Sequence, residues 1–173
     1  MPRIFALIVV GALLVPDVSR AEFRAKARDF KCLTRGIEAE GKHFFISNRN
    51  GKRLREAVEM TDSGDLGTGY PVGTILQLLP GEAMAKRGGR FNPEGNGWEW
   101  FRLTFTPSGH ARIAARGGAE VANGLGSCQG CHAGVAPTHD LVCEFVIGAS
   151  GLGMTDEQIA QEQAEDPRRK KKP

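Results

Sequence analysis

Cys128-Gln129-Gly130-Cys131-His132 brings two thiols and an imidazole together in one short stretch. Cysteines three apart fall on nearly one side of a helical turn. Such a set can form a dithiol redox couple, half of a zinc site, or the attachment point of a porphyrin. In the last case both sulfurs reach the vinyl groups of one porphyrin edge, and the adjacent histidine points at the iron. A thioredoxin-like pair follows a strand in a parallel α/β unit, whereas this one follows Gly117-Gly118 and the loop from Asn123 to Ser127. A zinc site needs a second ligand pair, and Cys32 and Cys143 stand alone. With 4 cysteines and 4 histidines in 173 residues, the motif is expected by chance about 0.002 times per chain, which favours a real attachment site. The expectation is one covalent haem c on Cys128 and Cys131, with His132 as the proximal iron ligand. A single motif excludes a multihaem electron wire.

The opposite face of the iron decides between electron transfer and ligand binding. Met84, in Gly81-Glu82-Ala83-Met84-Ala85-Lys86, is the leading candidate for a second ligand, against the commoner fate of a methionine filling a core gap. Met60, Met154, His43, His110 and His139 rank below it. For the wall against the porphyrin, Phe101, Leu103 and Phe105 share one strand face, and Leu76 and Leu78 can line up beside them. Phe101, Phe105 and Leu78 are the expected contacts, and Trp98 and Trp100 on the other face are the alternative. An oxidising enzyme would also need a polar acid or base near the iron. Glu82, Glu99 and Glu120, with Arg102 as a charge stabiliser, fall in no recognisable catalytic pattern, so no catalytic residue is assigned.

The start of the chain reads as a secretory leader. A basic Met1-Pro2-Arg3 precedes the apolar run Ile4 to Val15, and Ser19-Arg20-Ala21 offers a cleavage site after Ala21. The run is short for a membrane span, which takes about 20 residues. Export implies a periplasmic protein with no membrane association once the leader is removed, in the compartment where bacterial haem c is attached. The formal net charge is +3. Without Arg3, Arg20 and Asp17 it is +2, and five of the remaining positive charges are Arg168, Arg169, Lys170, Lys171 and Lys172, leaving a body of about −3. That distribution excludes a nucleic-acid binder, which spreads its basic residues over one face. In an oxidising compartment Cys32 and Cys143 are free to pair as a disulfide.

The elements that must position these groups are short. Phe23 to Thr34 is a candidate helix, and His43 to Ile46 a brief strand. Lys52 to Met60 has Leu54, Ala57 and Val58 on one helical face. Thr74 to Leu79 reads as the most buried strand, and Glu82 to Lys86 as one helical turn. Trp98 to Thr106 alternates like a strand, with Ala111 to Ala115 as its hairpin partner across Pro107-Ser108-Gly109. Asp140 to Ile147 is expected as the last strand, and Thr155 to Glu165 as a polar helix capped by Thr155 or Asp156. The fold class is α+β, a small mostly antiparallel sheet with short helices packed against one haem. Residues 1–21 form the leader, 22–153 the haem domain, and 154–173 a polar helix and a disordered basic tail.

Taken together, Pro71-Val72-Gly73-Thr74-Ile75-Leu76, Gly97-Trp98-Glu99-Trp100-Phe101 and Cys128 to His132 followed by Thr138-His139-Asp140-Leu141-Val142 resemble the cytochrome P460 / cytochrome c′-β family. The resemblance runs from about Phe44 to Phe145, and only the haem motif in it is specific. It implies an antiparallel sheet over one haem face and a His-ligated, usually five-coordinate iron. Some members bind nitric oxide or carbon monoxide in an apolar pocket. Others oxidise hydroxylamine with a lysine cross-linked to the porphyrin and a pocket carboxylate. Here no lysine follows Gly73-Thr74 on its strand. The nearest is Lys86, so the cross-link is absent unless Lys86 folds back to the ring. The resemblance also implies dimerisation through the sheet as a possible homodimer. The expected function is a periplasmic monohaem cytochrome for electron transfer or nitric oxide or carbon monoxide binding, with a redox protein or small gas as partner. The alternative is a P460-like haem oxidoreductase acting on hydroxylamine or peroxide.

Overall fold

A computed structural model describes residues 22–39, 41, 43–88, 90–146 and 151–169. The expected leader, residues 1–21, with Ile147 and Lys170 to Lys172, lies outside the described residues.

The architecture is α+β. Six antiparallel strands follow one another in sequence order across one sheet: β1 (Ile37–Glu38), β2 (Phe45–Ser47), β3 (Ile75–Gln77), β4 (Glu82–Lys86), β5 (Trp98–Phe105) and β6 (Ala111–Gly117). A small hairpin of β7 (Ala122–Asn123) and β8 (Gly126–Ser127) stands apart. Among the described residues three α-helices complete the fold: α1 (Gly51–Ser63), α2 (Cys128–Val135) and α3 (Asp156–Ala164). Among the described residues no helix is long and apolar enough to cross a membrane.

The local reasons are visible residue by residue. Asn50 caps α1 by accepting from the backbone N–H groups of Lys52 and Arg53, and Gly64 ends it in the left-handed region at φ 69°. The helix buries Ala57 and Thr61, and the Thr61 hydroxyl holds both the Ala57 carbonyl and the Tyr70 hydroxyl at 2.7 Å. Thr155 caps α3 in a capping box with Gln158. The amide of Gln163 then ties that helix to the chain just before β2 and just after β3, donating to the carbonyls of His43 at 2.6 Å and Leu78 at 2.9 Å.

Both faces of the sheet are covered. One carries Phe44, Ile46, Leu76, Met84, Trp98 and Trp100 beneath α1, Tyr70, Leu141 and Val142. The other carries Ile75, Ala83, Ala85, Phe101 and Leu103 beneath the N-terminal segment, where Phe30 meets Phe101 at 4.8 Å between ring centres. Burying one such side chain contributes about 1.5–3 kcal/mol.

Four elements differ from the expectation. Glu82–Lys86 is a strand, not a helical turn. Its helix-forming residues are overridden because it pairs on both sides, Ala85 facing Ile75 on β3 and Glu99 on β5. The expected last strand from Asp140 is instead a turn and the 3₁₀ segment Cys143–Phe145, since Asp140 and Leu141 both adopt left-handed φ, 47° and 61°, which no strand can hold. Phe23 to Thr34 forms no α-helix but two 3₁₀ turns, Ala27–Asp29 and Leu33–Arg35. Arg168, counted with the basic tail, is anchored: its guanidinium holds Asp166 and the Phe30 carbonyl.

Candidate functional site

The hairpin β7–β8 delivers the chain into α2, and Ser127 caps that helix, accepting from Gly130 N–H at 3.2 Å while donating to the Ala119 carbonyl at 2.8 Å. Cys128 is thus the first residue of the helix and Cys131 lies one turn on, so the two thiols share a side. Gln129 points the other way and is buried, accepting from the Asn92 side chain at 2.8 Å. The helix is thereby fixed in rotation.

Both thiols and His132 line one cavity, together with Phe44, Leu76, Leu78, Met84, Trp100 and Val142. The cavity and its mouth together take in about 1000 Å³, part of that open solvent. Its wall is mostly apolar. The polar exceptions include Glu82 and Asn123, joined side chain to side chain at 2.9 Å.

His132 is held on two sides. Its Nδ1 lies 2.7 Å from the Leu141 carbonyl, an acceptor only, so Nδ1 carries the proton and donates. The ring leans on Trp100 at 4.6 Å between centres. Burial holds its pKa below the usual value, despite the Leu141 hydrogen bond, so the ring is neutral near pH 7 and Nε2 is a free electron-pair donor.

Behind Leu141 sits a second polar cluster. The ammonium of Lys86 is 2.6 and 2.7 Å from the two carboxylate oxygens of Asp140, and both residues are buried. The Tyr70 N–H donates to Asp140 Oδ2 and the Trp98 indole N–H to the Asp140 carbonyl, each at 2.8 Å.

Two of the thiols, Cys128 and Cys143, are held protonated. Burial, then nearby Glu82, pushes Cys128 up, and burial, then Cys131, pushes Cys143 up to about 12. All four cysteines are free thiols. The Cys32–Cys143 pairing is not formed: Cys143 belongs to the cavity wall, while Cys32 bonds Thr34 at 3.4 Å.

Of the expected cofactor contacts, the structure brings Cys128, Cys131, His132, Met84 and Leu78 together at this cavity. Phe101 touches it, but its ring packs on Phe30 in the opposite core. Phe105 is not part of it; its ring lies in the opposite core with the Arg168 guanidinium over it at 5.1 Å. The cavity therefore belongs to the Trp100 face, the alternative that alternation alone left open. The other candidate ligands point elsewhere: His43 pairs with Asp156 at 3.3 Å, His110 bonds Ser108, and His139 stacks on Phe145. Phe44, Val142 and the Lys86–Asp140 cluster were not foreseen. The only sequence signal for them was the position of Asp140-Leu141 soon after the motif. Among the described residues, no group of three or more His, Cys, Asp or Glu is placed to hold a metal ion by itself.

Comparison with known protein families, curated proteins and solved structures finds no match to this chain.

Proposed function

We propose that the chain is an exported c-type cytochrome with one haem joined to Cys128 and Cys131 and with His132 as the proximal ligand. One observation carries the reading. Two thiols one turn apart and a neutral imidazole with a free Nε2 open onto the same apolar cavity. A dithiol redox couple needs a thiol whose pKa is lowered, and Cys128 is shifted the opposite way. The cavity suits a large apolar group, and Trp100, in its wall, has a buried Nε1–H without an acceptor. A ligand bearing acceptors gives such a donor a use.

Bound haem supplies a one-electron ferric–ferrous couple and, where one face is open, a site for nitric oxide or carbon monoxide. The residues of this chain supply the rest. Leu141 holds the tautomer and orientation of His132. Leu76, Leu78, Phe44 and Val142 exclude water, and Met84 is the side chain available as a second ligand. The function is electron transfer or gas binding in the periplasm, in a protein resembling the cytochrome P460 / cytochrome c′-β family. The lysine-cross-linked, hydroxylamine-oxidising branch requires Lys86 to leave a buried carboxylate, which counts against it.

The test is production in a host that attaches haem c, followed by acid–acetone extraction and absorption spectra with and without carbon monoxide. Haem that stays with the polypeptide, and is lost from a Cys128→Ala/Cys131→Ala variant, supports the reading. A haem-free wild type overturns it. A reduced spectrum unmoved by carbon monoxide assigns Met84 as ligand and electron transfer as the function. A shifted one assigns an open gas site.

A further inference from the structure

We propose that Lys86 is a positioning residue for the proximal ligand: its buried ion pair with Asp140 fixes the left-handed turn whose Leu141 carbonyl accepts the His132 Nδ1 proton. The inference rests on the haem reading above and assigns a role to the lysine that the reading leaves out.

The turn has local hydrogen bonds, Leu141 N–H to the Ala136 carbonyl at 3.1 Å and Val142 N–H to the His139 carbonyl at 2.9 Å, but its backbone is strained. Asp140 and Leu141 sit in succession at φ 47° and 61°, a region that L-residues with side chains avoid. Such a conformation persists only where the surroundings over-determine it. Three elements do so here. β4 contributes the Lys86 ammonium to both oxygens of Asp140, at 2.6 and 2.7 Å. β5 contributes the Trp98 indole to the Asp140 carbonyl at 2.8 Å. The loop after α1 contributes the Tyr70 N–H at 2.8 Å. The same loop approaches so closely at Gly69 that a Cβ there would come to 3.0 Å of Asp140 Oδ2. One residue on, the Leu141 carbonyl meets His132 at 2.7 Å.

A buried ion pair is a poor device for stability alone, because apolar residues of similar volume often do as well. What this pair adds is direction. It ties the carbonyl that orients His132 to the centre of the sheet, and the ammonium is further held over the Trp98 ring at 4.9 Å. A strong hydrogen bond at Nδ1 raises the basicity of a metal-bound imidazole and so favours ferric over ferrous iron. Loosening the turn weakens that preference. Losses at such outer partners reach tenfold or more, and for one electron tenfold is about 59 mV, here upward.

The test uses the haem-loaded protein as wild type, Lys86→Met/Asp140→Asn, and Lys86→Arg. The double variant leaves no unpaired buried charge. Midpoint potential and the NMR shift of the His132 Nδ1 proton are read in each, with amide hydrogen exchange at Leu141 and Val142. The expected result is a higher potential, a moved Nδ1 resonance and faster exchange in the double variant, with Lys86→Arg close to wild type. Should the double variant not fold, Gly69→Ala strains the same turn from another side and should shift the same readouts. A folded variant with wild-type potential and Nδ1 shift overturns the proposal. Wild type without covalent haem fails the haem reading instead, and is seen before any variant is made.

Discussion

Two tryptophans two residues apart on β5 show how differently the same side chain can be used. Trp98 is fully buried and spends its N–H on the Asp140 carbonyl, while Trp100 is nearly as buried and its N–H has no acceptor. Replacing a bonded partner leaves the other group unsatisfied at a cost of roughly 1–3 kcal/mol, whereas removing an unsatisfied donor carries no such penalty. Trp98→Phe should therefore destabilise the haem-free protein by about 1–3 kcal/mol more than Trp100→Phe, since both lose similar ring area. Urea unfolding of the two variants in the Cys128→Ala/Cys131→Ala background checks this. Equal losses would mean that the Trp98–Asp140 bond contributes nothing net, and would remove one of the three supports of the Asp140–Leu141 turn. The motif residues themselves were plain from the sequence, because their chemistry is local. Lys86 and Asp140 were not, because 54 residues separate them and neither has a local pattern marking a pair.

At the scale of elements, what could be read was what is decided locally. The Trp98–Phe105 strand alternates, its hairpin with β6 has a Pro-Ser-Gly turn, and Thr155 marks the start of α3 as its cap. β4 was illegible for the opposite reason. Glu-Ala-Met-Ala-Lys favours a helix by propensity, and only its neighbours on both edges make it a strand. The choice of cavity face was hidden too: both faces of β5 are apolar because both are covered, so alternation could not rank them. Within α2 the decisive local signal is the cap. Ser127 satisfies one N–H of the first turn and one carbonyl across the hairpin. Ser127→Ala is expected to cost about 1 kcal/mol, measurable by urea unfolding, and to lower haem loading, because the first turn of α2 is what holds Cys128 and Cys131 on one side. Unchanged stability and loading would show that the buried Gln129–Asn92 contact alone fixes the helix.

At the scale of the whole molecule, the chain is closed by its two ends. Asp166, buried beyond α3, accepts from the Leu33 N–H at 2.9 Å, from the Arg168 N–H at 2.9 Å and from the Arg168 guanidinium at 2.8 and 2.9 Å. Arg168 in turn reaches the Phe30 carbonyl at 3.2 Å, so the last described residues hold the segment that covers the second sheet face. Burial alone would push the Asp166 carboxyl up, but these hydrogen bonds outweigh it and hold its pKa below the ordinary 3.8. A carboxyl whose folded pKa lies below its unfolded one binds fewer protons when folded. Its contribution to stability is therefore present in full above the unfolded pKa and is lost as the pH falls through the folded value. Asp29, held down by Arg49 in the same way, adds to the same acid limb. Asp166→Asn removes its own titration and leaves that of Asp29. The gap in unfolding free energy between wild type and Asp166→Asn should thus be largest near pH 7 and shrink steadily below about pH 4, read by urea unfolding at each pH. A gap constant across that range would mean that the carboxylate charge contributes nothing to the clasp, and that the two ends are held without it, by such contacts as those of the Arg168 guanidinium with the Phe30 carbonyl and the Phe105 ring.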